Sequence, residues 1–137
     1  MGVIVRIKKN KLYENFSFPD KMLMEMAIVG KLNNLLTVII RTNDPGNIPH
    51  FHIVDNETFG SKFHTCVKIE KPEYFIHTGK EDILNSKLRK ELIEFFGCSD
   101  KWGVNHWDIV LQEWNRNNSH IEIDPHTPMP DYTKLKK

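Results

Sequence analysis

Cysteine is scarce. Cys66 and Cys98 stand far apart and outside any C-x-x-C pattern, which excludes a disulfide framework or a zinc ribbon. A dominant charge is missing too: Lys and Arg number 19 against 18 Asp and Glu, a formal net charge of +1. No global field therefore draws the chain to nucleic acid or anionic lipid. No apolar run approaches the ~20 residues of a membrane span. Met1-Gly2-Val3-Ile4-Val5-Arg6 carries neither a secretory apolar core nor a myristoylation motif. There is no P-loop, G-x-G-x-x-G, G-x-S-x-G or H-E-x-x-H, which removes the readily recognised enzyme classes. These absences predict a cytoplasmic protein without membrane contact. What is present is ordinary: 39% hydrophobic and 27% charged residues over 137 positions, enough for one domain with a single core.

The first half reads as strands. Val3–Ile7 and Leu12–Phe16 suit a hairpin, and Pro19 breaks the chain after it. Met22 to Val29 fits helix or strand; Ala27 to Lys31 reads as the first arm of a hairpin, since Asn33-Asn34 tolerates a tight turn before Leu35–Ile40. The loop Asn43–Asn47 then feeds Pro49–Val54, and Lys62–Glu70 alternates two faces, with Tyr74–His77 as a continuation of the sheet. The second half changes period. Leu84, Leu88, Leu92 and Phe95/Phe96 form one helical stripe, with Thr78 as N-cap and Gly97 as stop. Trp107, Val110, Leu111 and Trp114 form another behind Asn105, and Ser119–Asp124 suits a short last strand. The predicted fold is α+β: an antiparallel meander sheet within residues 1–77, packed by two C-terminal helices at about 80–96 and 106–115. Residues 1–124 form the domain and 125–137 a flexible Pro- and Lys-containing tail.

The residues with most chemistry lie on the strands. In His50-Phe51-His52 the strand period puts both imidazoles on one face, with Phe51 and Ile53 turned to the core. Imidazole is a common transition-metal ligand and general base near neutral pH, so His50 and His52 are candidate catalytic residues and candidate metal ligands. His64 joins them as a catalytic candidate. Its face also carries Cys66, and if the strands pair with these faces together, an N/S cluster is reachable. The competing reading is a solvated face that hydrogen-bonds nearby loops. Arg41, Asn43, Asp44, Asn47, Lys68 and Trp102 are candidate binding residues, because loops beside a scaffold strand tend to carry function. Trp107 and Trp114, at helical spacing, read as core. Cys66 as a nucleophile would draw on the flanking His64 and Lys68, against the plainer reading of an inert lone cysteine on a strand.

Thr37–Asp44 followed by Ile48-Pro49-His50-Phe51-His52-Ile53 resembles a small prokaryotic family of unknown function with a Pro-Pro-His-Phe-His-Val strand. Val67-Lys68-Ile69, the helix ending Leu92–Phe96, and Trp107 to Asn115 come next in the family's order, so the resemblance spans roughly residues 27 to 124. Ile48 stands in place of the first Pro. Such proteins are often encoded beside short partners in toxin–antitoxin-like or defence-associated gene pairs. The resemblance therefore implies a regulatory protein, of prokaryotic or phage origin, that binds a protein encoded nearby or a nucleic acid, with His50 and His52 as site candidates. The alternatives are a His-dependent ribonuclease or metal-dependent hydrolase, with His50 or His52 as base or ligand and Lys68 or Arg41 facing phosphate charge, and an accessory structural domain. The balance leans away from an enzyme. For cofactors the expectation is none, with a divalent transition metal as the alternative.

Overall fold

A computed structural model describes residues 26–42, 48–55, 62–76 and 79–135. The strands expected at Val3–Ile7 and Leu12–Phe16 lie outside them. Four strands, β1 (Met26–Lys31), β2 (Thr37–Arg41), β3 (His50–Val54) and β4 (His64–Lys68), form an antiparallel meander in the order β1-β2-β3-β4. Two helices come after them, α1 (Ser86–Gly97) and α2 (His106–Asn117), and then a single 3₁₀ turn, Tyr132–Lys134. The architecture is α+β, as the change of period predicts.

Local chemistry explains the boundaries. The β1–β2 turn closes on Asn33, whose side-chain oxygen accepts from the backbone N–H groups of Leu35 and Leu36 at 2.8 and 2.9 Å. The first helix begins later than about residue 80. Asn85 caps it by accepting from Leu88 N, and Glu81 and Asp82 precede it instead of forming its first turn. Leu84 also precedes the helix; it is buried and its N–H donates to the Tyr74 hydroxyl at 2.8 Å. Thr78, the expected cap, lies outside the described residues. Asn105 caps α2 through Trp107 N.

Ser119–Asp124 is not a strand. Asn115 pins the chain there, its amide donating to Ile123 O and its side-chain oxygen accepting from Ile123 N, at 2.9 and 2.8 Å, so these backbone groups are satisfied without a ladder. Residues 125–135, expected to be a flexible tail, instead close onto the core. Tyr132 is fully buried and its hydroxyl donates to Lys68 O at 2.7 Å, and burial pushes its phenol well above the ordinary 10.0. Tyr74 makes one bridge to Val67, flanked by backbone bonds from Lys68 N to Glu73 O and from Phe75 N to Cys66 O, both 2.9 Å.

The sheet has two different faces. Val38, Ile40, Phe51, Ile53 and Val67 meet the helices in the main core, where Phe51 sits edge-on to Phe96 at 5.3 Å between ring centroids. Burial of one such ring contributes about 2–3 kcal/mol. Helix and sheet come close at Gly30: a Cβ there would lie 3.0 Å from the Phe95 ring and 3.2 Å from His106 Nε2. On the opposite face Met26, Ile39 and Val54 form a smaller apolar cluster, and beside it stand the histidines.

Candidate metal centre

Strand register builds the site. On β3 the period of two puts His50, His52 and Val54 on the face opposite Phe51 and Ile53, and on β4 it puts His64, Cys66 and Lys68 there. The β3–β4 ladder pairs His50 with Lys68, His52 with Cys66, and Val54 with His64. His52 therefore stands directly across from Cys66 and diagonally across from His64, both within side-chain reach. His52 Nδ1 lies 2.9 Å from His64 Nε2, and Cys66 Sγ lies 3.2 Å from the first and 3.3 Å from the second. The two rings stack 6° from parallel.

Three donor atoms thus converge from two adjacent strands. At such separations two ring nitrogens cannot both aim bare lone pairs inward; protons hold the triangle together, or a cation replaces them. Around a tetrahedral zinc ion, bond lengths of ~2.0–2.1 Å to nitrogen and ~2.3 Å to sulfur give edges of about 3.4 Å (N–N) and 3.6 Å (N–S). The observed triangle is smaller by a few tenths of an ångström, an opening that modest side-chain rotation supplies. Two imidazoles and a thiolate form a borderline-soft donor set suited to zinc or copper, in contrast to the oxygen donors that magnesium and calcium take.

The surroundings differ from a solvated strand face. His50 is wholly buried and His52 is 2% exposed, so the outward alternation expected of β3 does not leave this face open. Phe75 packs against the His50 ring at 4.4 Å and Trp114 stands 5.6 Å from it. Cys66 is buried, and among the three donors His64 alone is half-buried. His50 stands beside the triangle and outside it. Its ring is edge-on to His52 at 5.0 Å, and its Nδ1–H donates to Ile48 O at 2.8 Å, since a carbonyl can only accept.

The other sequence candidates are not among the three donors. Arg41 is half-buried at the end of β2, where its carbonyl accepts from the Asn118 amide at 2.9 Å. Asn43, Asp44 and Asn47 lie outside the described residues. Lys68 pairs with Glu73 at 2.7 Å, and the hydrogen bond and charge of that ammonium hold the Glu73 carboxyl below the usual range. Trp102 is 56% exposed in the turn between the helices, with the Lys101 ammonium 5.3 Å from its ring. Of the two expected metal ligands only His52 joins the triangle, together with His64 and the cluster candidate Cys66. The signal of Cys66 is the His64-x-Cys66 spacing, which repeats that of His50-x-His52, but only the register shows that Cys66 and His64, not His50, meet His52.

The described surface carries a groove and a cleft away from the three donors. A groove of about 750 Å³ runs between the β1–β2 turn and α1, lined among others by Leu35, Phe63 and Leu88. A cleft of about 230 Å³ is lined by Ile48, Pro49, Lys68, Glu70 and Lys71. None of the three donors lines either one. No helix among the described residues is long and apolar enough to cross a membrane. The chain matches no known family model, no curated protein and no solved structure.

Proposed function

We propose that this protein binds a transition-metal ion, zinc foremost, through His52 Nδ1, His64 Nε2 and Cys66 Sγ, and that the ion serves metal-dependent hydrolysis. The observation that carries the reading is the mutual approach of these donors to 2.9–3.3 Å. Three protein donors are the number that catalytic zinc sites use, with the fourth position left to water. A zinc ion held by His52, His64 and Cys66 would supply Lewis-acid activation of water near neutral pH. The half-buried His64 marks the side from which water and a small substrate would reach the ion.

The test is metal titration of the metal-free protein with Co²⁺ and Zn²⁺, then assay of the loaded protein on RNA and on small ester and phosphoester substrates. One equivalent of cobalt should bind with thiolate-to-metal absorption that is lost in His52→Ala and in Cys66→Ala. A wild-type chain without this signature overturns the metal site. Binding without any zinc-dependent hydrolysis overturns the catalytic half and leaves the ion a structural role.

A second reading, the regulatory protein that the family resemblance implies, draws support from burial. His52 and Cys66 lie inside, and neither the groove nor the cleft opens on the donors. In that case the ion fastens β3 to β4 and another surface meets the partner. Co-purification of one neighbouring gene product with the metal-loaded wild type, lost in Cys66→Ala, would select it.

A further inference from the structure

We infer that Asp82 is a positioning residue for this metal centre: by taking both backbone groups of His64 it sets where that imidazole stands, an inference that rests on the proposed metal site. His64 is the first residue of β4, and its N–H and C=O turn away from β3 to the outer edge of the sheet. Asp82 meets both. Its backbone N–H donates to His64 O at 2.7 Å, and its carboxylate Oδ2 accepts from His64 N at 2.9 Å. Cys66 is held from the same edge, its carbonyl accepting from Phe75 N at 2.9 Å. His52 needs no such support, because β3 lies between β2 and β4.

The arrangement matters because His64 binds through Nε2, the ring nitrogen farther from its backbone. At a lever arm of ~4.5 Å, a backbone tilt of ~5° displaces that atom by about 0.4 Å, more than the ~0.2 Å tolerance of a metal–ligand distance. An exposed carboxylate 18 residues downstream thus fixes the one donor that stands at a strand end. Outer-layer partners of this kind typically contribute ten- to a hundredfold to metal affinity.

The experiment is cobalt and zinc titration of the full metal-free chain as wild type, Asp82→Ala and Asp82→Asn. Asp82→Ala should bind about tenfold more weakly and shift the cobalt d–d bands, because one donor is displaced. Asp82→Asn, whose amide oxygen still accepts from His64 N, should stay within about twofold of wild type. Equal affinity in Asp82→Ala and wild type overturns the clamp while sparing the metal site. Equal loss in Asp82→Asn and Asp82→Ala also overturns it, by assigning the effect to charge. A wild-type chain that binds no cobalt overturns both readings together. Far-UV circular dichroism checks that each variant folds; if Asp82→Ala does not, Asp82→Ser takes its place with the same outcomes.

Discussion

Replacing Cys66 by alanine separates the metal reading from ordinary packing. With zinc at about a hundred times its dissociation constant, a ligand bound only by the folded state adds about 2.7 kcal/mol of stability. Unfolding entropy of about 2.1 cal/mol/K per residue, over a chain of this length, comes to about 0.3 kcal/mol/K, so the wild-type Tm should rise by about 9 °C. Removing the thiolate leaves two imidazoles. If affinity falls a hundredfold, zinc at the same concentration only equals the new constant, and the shift shrinks to about 1.4 °C. Without metal, Cys66→Ala loses a sulfur that contacts both rings, a cost of about 1–2 kcal/mol that is the same with and without zinc. The assay is differential scanning calorimetry of chelator-treated protein with and without zinc. Cys98→Ala, an exposed cysteine remote from the cluster in sequence, is the control and should keep the full shift. A wild-type Tm indifferent to zinc, or a Cys66→Ala variant that keeps the rise of about 9 °C, would refute the reasoning.

Three further outcomes test the frame around the site. Tyr132→Phe should cost about 1 kcal/mol, because Lys68 O loses a donor at 2.7 Å. The folded phenol stays protonated above its ordinary 10.0, so wild-type stability is complete below that pH and declines as pH rises beyond it; alkaline melts of Tyr132→Phe should lack that part of the decline. Gly30→Ala should destabilise by about 1–2 kcal/mol in urea, since the new methyl would meet Phe95 at 3.0 Å and overpacking outweighs the gain in strand propensity. Asn117→Ala should cost about 2–3 kcal/mol. Asn117 donates to the buried Glu113 carboxylate at 3.0 Å and accepts from Thr42 Oγ1 at 2.9 Å. A loss below about 0.5 kcal/mol would show that these bonds are replaceable by water.

Particular residues show where sequence reasoning succeeds and where it stops. Leu88, Leu92, Phe95 and Phe96 repeat at helical period, and Asn33, Phe51 and Ile53 carry turn and strand signals that depend on near neighbours only; each is found where its local physics puts it. The start of α1 is harder to place. Thr78 and Asn85 are both acceptable caps, and nothing local says that Leu84 is needed against Tyr74. The tail misleads for the same reason: Pro125 to Lys137 looks polar and broken, and a single Tyr132 finds its partner 64 residues upstream. The candidate site divides along this line. That His50 and His52 share a face comes from period alone. That His52 meets Cys66 depends on the length of an intervening connection, and that the face is covered depends on Phe75 and Trp114, both distant in sequence.

The edge-on contact between His50 and His52, with Trp114 only 5.6 Å from the first ring, has an optical consequence. An indole two rings away from the three donors is a built-in fluorophore, and a paramagnetic cation such as Co²⁺ or Cu²⁺ would quench its emission at so short a range. Occupancy could then be tracked on unlabelled protein in real time, with the indole itself left outside the coordination sphere.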